Sequence, residues 1–295
     1  MKKKKNIFFI INPHSGNKKK TRVIKKINTE LDLQIFEPHI IQTETLEQLS
    51  STLETIKKDK NNIVVAVGGD GTINHIVNKI VGSGISFGII PRGSGNGLAR
   101  ELKIPQTISG AIRIINQFYF RKIDIMQLND LFSVNVSGIG FDAIIAKKFS
   151  ELEHRGFKNY LRITAQEIKK IKSENYKMLI DGNELNPKAY LISFANSRQW
   201  GNNAYIAPKA KIDDGLIDVI ILHPFPLLPA PIMVAGLFTK TLGSSRYLDT
   251  IKAKEIVIKK EGEIFAHIDG EPYIFKNQLK VTIYTKKLNI LAPKM

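Results

Sequence analysis

Asn62-Ile63-Val64-Val65-Ala66-Val67-Gly68-Gly69-Asp70-Gly71-Thr72-Ile73-Asn74 is the stretch on which the fold turns. The apolar run Ile63–Val67 predicts a buried strand. A glycine-rich turn follows. Ile73, Ile76, Val77, Ile80 and Val81 then recur at helical spacing, with Thr72 placed to cap the helix. Glycines at 68, 69 and 71 let the backbone bend and bring its N–H groups close to a ligand. The positive end of the helix favours an anion at the same spot. Asp70 is out of place in a loop that holds only an anion. It fits if a divalent cation accompanies a phosphate. The stretch therefore reads as a Mg-nucleotide loop, or else as a plain strand-turn-helix junction with a surface Asp. It is neither a Walker A loop nor a dinucleotide fingerprint.

Two further junctions share this character. A strand at Asn6–Ile11 runs into Asn12-Pro13-His14-Ser15-Gly16, and a helix follows with Val23, Ile24, Ile27 and Leu31 inward. A strand at Ser86–Ile90 runs into Pro91-Arg92-Gly93-Ser94-Gly95-Asn96-Gly97, and a short helix opens at Leu98. Between them lie a strand around Gln34–Ile41, ending near Thr43, and a helix carrying Leu46, Leu49 and Leu53. In a parallel α/β sheet all such loops gather at the carboxyl ends of the strands. The helix Ile108–Phe118 completes this part.

After Phe120 strands outnumber helices. They are expected at Arg121–Gln127, Leu131–Val136, Tyr176–Ile180, Ala189–Ala195, Leu216–Leu222, Lys254–Lys259, Ile264–Ile268, Tyr273–Phe275 and Leu279–Tyr284. Asp181-Gly182-Asn183 reads as the turn between the third and fourth of these. Helices are expected at Phe141–Leu152 and Tyr160–Ile171. The fold class is thus an α/β domain with a parallel sheet, placed at residues 1–125, and a mainly antiparallel β-rich domain at 126–285. A cleft between them is the default binding site.

The chain has 295 residues, no cysteine and a net charge of +17 from 44 basic and 27 acidic side chains. Disulfides and thiolate metal sites are excluded. A reducing cytoplasm is the expected compartment. The lysine-rich start resembles the charged end of a leader, but the apolar stretch Ile7–Ile11 is too short for one. No run has the length of a membrane span. The charge suits nucleic acid, an anionic membrane, a polyphosphate or simple solubility. Asp269-Gly270-Glu271 reads as a tight hairpin with a solvated Glu, or as a turn presenting a carboxylate. Asp213-Asp214-Gly215 reads as a turn or a hard-cation site. The six histidines show no metal-ligand spacing. The proline-rich apolar segment Pro224–Pro231, with the helix-like Ile232–Phe238, is a buried connector or an exposed lip that touches lipid.

Taken in order, several of these motifs resemble the diacylglycerol kinase and sphingosine kinase catalytic-domain family of lipid kinases. They are Asn12–Gly16, Gly68–Asn74, Pro91–Asn96, Ser137-Gly138-Ile139-Gly140-Phe141-Asp142-Ala143, Ala207-Pro208 leading to Asp214-Gly215, and Asp269-Gly270-Glu271. The Gly-Gly-Asp-Gly-Thr loop alone is shared with NAD kinases. The resemblance implies an NAD kinase-like first domain, to which the last segment, about 286–295, returns. It implies ATP and Mg²⁺ as cofactors, and phosphorylation of a hydroxyl on diacylglycerol or a sphingoid base. Asn12, Pro13, His14, Ser15, Gly16, Thr43, Gly68, Gly69, Asp70, Gly71, Thr72, Ile73, Asn74, Ser94 and Asn96 would bind the nucleotide. Asp70 and Asp124 would organise catalytic Mg²⁺, and Glu271 would be the general base. Asp214, with the carbonyls of Lys211 and Leu216, would match a structural Mg²⁺ site. The partner would be lipid at an anionic membrane surface, touched peripherally, and not nucleic acid; a homodimer is compatible with the family. His75 stands where the family usually has Glu, and Asn96-Gly97-Leu98 stands where many diacylglycerol kinases have Asn-Asp-Phe. The alternatives are a non-catalytic lipid- or nucleotide-binding homologue and an NAD kinase-like enzyme.

Overall fold

The computed structural model describes residues 4–11, 17–152, 157–226 and 228–294. The chain divides into two compact units, one of Met1–Ile123 with Lys286–Met295, the other of Asp124–Thr285.

The first unit alternates strand and helix: β1 (Lys5–Ile11), α1 (Asn17–Glu30), β2 (Phe36–Gln42), α2 (Leu46–Ile56), β3 (Ile63–Gly68), α3 (Asp70–Ile80), β4 (Ser86–Pro91), α4 (Gly97–Glu101) and α5 (Ile108–Asn116). The four strands pair in parallel in the order β2-β1-β3-β4. Every residue of β3 is buried, as its uninterrupted apolar run demands of a strand covered on both faces. The long strand Glu271–Leu291 ends in this unit, where Asn289 and Ile290 pair in parallel with Ser86 and Phe87 of β4. Thr45 and Thr107 cap α2 and α5, each hydroxyl accepting an N–H three residues on. Thr72 does no such work. The helix starts earlier, with Gly69 at the N-cap and Asp70 in the first turn, so Thr72 lies inside it. Leu46 is exposed, because α2 begins on it and only Leu49, Leu53 and Ile56 reach the core.

The second unit is built on antiparallel strands. Leu248–Ala253, Ile217–Leu222, Leu191–Ala195, Val136–Gly140, Glu255–Ile268 and Glu271–Leu291 pair in that order. The expected strand Leu131–Val136 is two, Leu131–Ser133 and Val136–Gly140, broken at 134–135. Four expected strands fuse into two long ones, which form the hairpin closed by Ile268 and Glu271. Lys177–Ile180 pairs with Asn183–Leu185 across the Asp181-Gly182 turn, and not with the strand at 191–195. A two-residue turn with positive φ at both positions closes the nearest possible hairpin, so the short strand after it wins over the distant one. One side of this sheet buries Met126, Ile139, Phe194, Val219, Ile258 and Val281. Helices Phe141–Ser150, Phe157–Glu167 and Ala230–Thr239 complete the unit.

Candidate functional site

In the first unit the glycine-rich loop is locked to the loop that follows β4. Gly68 accepts a hydrogen bond from the Arg92 N–H at 2.7 Å. Gly69 and Gly93 meet backbone to backbone: a Cβ on Gly69 would lie 2.9 Å from Gly93 Cα, and one on Gly93 would lie 2.6 Å from Gly69 Cα. Neither position tolerates a side chain without moving main chain. Asp70 adds a third tie, since its Oδ1 accepts the Gly97 N–H at 2.8 Å. Its other oxygen occupies the space that a side chain on Gly95 would need. As a carboxylate in the first turn of α3, Asp70 also meets the favourable end of the helix dipole.

Asn96 is the linchpin of the second loop. It sits in the left-handed region (φ 51°), accepts from the Gly93 N–H at 2.8 Å, and donates to Gly93 O and to Gln106 Oε1. Its amide is consumed in building the loop. Ser94, one turn away, is exposed, while Gly71 and Thr72 are half-buried. Ile73 and Asn74 face inward: Ile73 is core, and Asn74 takes the Asn78 amide on both its oxygens. A nucleotide would meet these two through their main chain. Thr43 is buried just past the end of β2. Asn12, Pro13, His14, Ser15 and Gly16 lie outside the described residues. His75 is half-buried with Nε2 unpartnered; burial, and then the nearby Lys79 charge, hold its pKa below the usual histidine value.

In the second unit Asp124 is fully buried and its Oδ2 accepts the Gly215 N–H at 2.7 Å. The Asp124 N–H donates to Ile212 O. Asp124 and the 211–216 turn, which carry two separate expectations from the sequence, are therefore one assembly. Asp214 Oδ1 accepts the Leu216 N–H, and its Oδ2 meets Lys252 Nζ at 3.0 Å. Lys252 reaches Asp218 as well, at 3.1 Å. Burial pushes the Asp218 carboxyl up despite Lys252. For Lys252 desolvation pulls downward, and the two carboxylates together outweigh it, so its pKa is raised. The partners respond unequally because Asp218 is the buried member and Lys252 keeps part of its solvent. Hard carboxylate oxygens at Asp70 and Asp124 suit Mg²⁺. At Asp214 a divalent cation has to share the carboxylate with an ammonium.

Glu271 is half-buried at the start of its strand, directly after a turn with φ of 49° at Asp269 and 91° at Gly270. Asp269 is bound by the Ser133 hydroxyl and by the Val134 and Asn135 N–H groups. The turn is thus the tight hairpin, and it is also rigidly held. Sequence reasoning missed His267, whose ring lies against this turn. Its signal was a histidine two residues before the Asp-Gly pair.

The same unit holds an apolar pocket, partly open to solvent. Phe141, Ile145, Leu191, Phe225, Met233 and Leu237 help line it, and the polar exceptions are Asp142, Thr164 and the Trp200 indole. Phe225 is buried, packed between the rings of Tyr190 and Tyr247, which removes it from any exposed lip. Leu228 and Ile232, in contrast, are 91% and 75% exposed. Among the described residues no helix is long and apolar enough to cross a membrane.

Comparison with known proteins adds independent findings. A family model described as the diacylglycerol kinase catalytic domain matches residues 6–128. A second, described as the YegS C-terminal NAD kinase beta sandwich-like domain, matches residues 135–292. A protein of Staphylococcus aureus named diacylglycerol kinase is 26% identical over 225 residues, covering 75% of this chain and 71% of its own length. A protein of Chromohalobacter salexigens named "Probable lipid kinase YegS-like" is 27% identical over 240 residues, covering 78% of this chain and 76% of its own. A crystal structure described as a diacylglycerol kinase from Bacillus anthracis superposes with a TM-score of 0.76 at 20% identity, covering 99% of this chain and 98% of its own, which shows a shared fold.

Proposed function

Because the chain belongs to the lipid kinase family that joins a diacylglycerol kinase catalytic domain to a YegS-type C-terminal domain, we propose that it transfers the γ-phosphoryl group of ATP to a hydroxyl of diacylglycerol or a sphingoid base. The observation that carries the lipid assignment is the apolar cavity of the second unit, whose wall suits an acyl chain and offers a phosphorylated soluble acceptor almost nothing polar.

Phosphoryl transfer asks the protein mainly for positioning and for charge neutralisation. The interlocked Gly68–Asn74 and Pro91–Gly97 loops supply main-chain N–H groups and a helix N-terminus for polyphosphate. Asp70 and Asp124 are the residues that would hold Mg²⁺, which when bound offsets the phosphate charge. Glu271 takes the proton from the acceptor hydroxyl. Its place supports that role: it is half-buried and opens its strand directly after a turn held by Ser133, Val134 and Asn135. The exposed Leu228 and Ile232, on a chain of net charge +17, support peripheral contact with an anionic membrane.

Labelled ATP offered with diacylglycerol, monoacylglycerol, sphingosine, dihydrosphingosine, ceramide and NAD tests the assignment. A labelled lipid on the thin-layer plate is the expected result, and Leu237→Trp, which fills the cavity, should suppress it while ATP binding persists. Label on NAD and on no lipid would replace the proposal with an NAD kinase-like activity.

A further inference from the structure

His267 stands directly across the sheet from Gly138 and three residues before Gly270. It is 2% exposed. Nδ1 accepts the Gly270 N–H at 3.2 Å. Since a main-chain N–H can only donate, Nδ1 is the acceptor, which leaves Nε2 as the ring nitrogen that carries a proton. Nε2 faces Asp142 Oδ2 at 2.9 Å, off the line of a straight hydrogen bond. That same oxygen receives the hydroxyl of the fully buried Ser193 at 2.7 Å. Gly138 makes the arrangement possible: a Cβ there would sit 2.6 Å from Asp142 Oδ2 and 3.2 Å from His267 Nε2. The sheet thus gives up one side chain to bury a carboxylate beside an imidazole.

Burying such groups is costly unless they are paired or hydrogen-bonded. Here they fix a peptide unit. Asp269 pins its turn from one side through Ser133, Val134 and Asn135. His267 pins it from the other by holding the N–H of the residue just before Glu271. We infer that His267, oriented by Asp142 and Ser193, is a positioning residue for Glu271. The inference rests on the reading of Glu271 as the base. The ring does not touch the acceptor or move its proton. It fixes the main chain from which Glu271 projects.

The two nitrogens can be separated by substitution. His267→Asn keeps an acceptor where Nδ1 stands and loses the reach to Asp142. His267→Gln does the reverse. Hydrogen exchange at the Gly270 amide should stay slow in His267→Asn and speed up at least about tenfold in His267→Gln. With dioctanoylglycerol micelles and labelled ATP, kcat should fall about tenfold in His267→Gln and much less in His267→Asn, with KM for ATP unchanged in both. A merely structural role would lower both variants alike, through stability. Unchanged Gly270 exchange in His267→Gln overturns the anchor, whatever Glu271 does. Equal kcat in the two variants, while Glu271→Gln abolishes transfer, overturns the positioning role. Transfer that survives Glu271→Gln overturns the base reading and the positioning role with it, and the exchange data then report the anchor alone.

Discussion

Replacing Asp70 by Asn and by Ala separates two jobs that one side chain performs. In Asp70→Asn the amide oxygen can still accept the Gly97 N–H, so the tie between the two loops persists. A charge-assisted bond becomes a neutral one, which costs about 1 kcal/mol. Loss of the negative charge in the first turn of α3 costs a further ~0.3–1 kcal/mol. The expected destabilisation is about 1–2 kcal/mol, a few degrees in the melting of the first unit. In Asp70→Ala the buried Gly97 N–H loses its acceptor, and the penalty rises by ~1–3 kcal/mol. Phosphoryl transfer should respond in a different order. If the carboxylate neutralises phosphate charge through a cation, Asn fails nearly as badly as Ala, with rates down by about 10²-fold or more. Differential scanning fluorimetry and labelled-ATP transfer on the same preparations read the two effects. Wild-type transfer by Asp70→Asn, with only the small loss of stability, would reduce Asp70 to a loop clasp and refute the assignment.

Gly93→Ala should weaken ATP binding by about 10–100-fold, because its Cβ must push Gly69 main chain out of the phosphate loop, whereas Gly82→Ala, with no atom within 4 Å of its Cβ, should cost stability through its positive φ and leave ATP affinity intact; titration calorimetry distinguishes them. His75 has a folded-state pKa below its ordinary value near 6.5, so its stability contribution is present above that value and is lost as pH falls through the folded pKa. His75→Gln should therefore flatten the acid side of a urea-denaturation series, and an unchanged pH profile would show that His75 is not the group responsible. Leu228→Glu with Ile232→Glu should reduce sedimentation with anionic vesicles without changing ATP binding, while Phe225→Glu should unfold the second unit instead, since that ring is buried.

The parallel unit was legible because its signals are local. Short continuous apolar runs bounded by turn residues fit strands covered on both faces, and three of them are followed by glycine, serine or asparagine and then by helical periodicity. The second unit was harder. Residues 254–259 and 264–268 look separate because Lys259–Glu263 is polar and irregular, yet the pairing with 271–282 resumes beyond it. Sequence cannot show that a partner strand continues. Asn96 illustrates the same limit within the site. The motif marks it, but only the left-handed backbone and the three side-chain bonds show that it builds the loop. His267 was passed over because it has no ligand spacing, and Asp142 beside it, with the Ser193 that donates to Asp142, comes from distant parts of the chain.

The turn at 211–216 presents a choice between two cations that the residues themselves can decide. Asp218 is nearly fully buried beside Lys252, which also holds Asp214. Lys252→Met removes the ammonium and leaves two carboxylates facing each other. Because Lys252 is partly solvated, the loss is about 1–3 kcal/mol, below that of a fully buried pair. Desolvation already raises the Asp218 pKa, so the deficit should shrink as pH falls and Asp218 takes up a proton. If the turn binds a divalent ion in competition with Lys252, Mg²⁺ should restore Lys252→Met by the mass-action term for ligand binding, and should raise the melting temperature of the wild type by less. Equal gains in both proteins would mean that ion and ammonium do not compete, and that any Mg²⁺ sits on oxygens other than those of Asp214. No gain in either would leave Lys252 as the only cation this turn uses, a covalently attached counter-charge that needs no ion from solution.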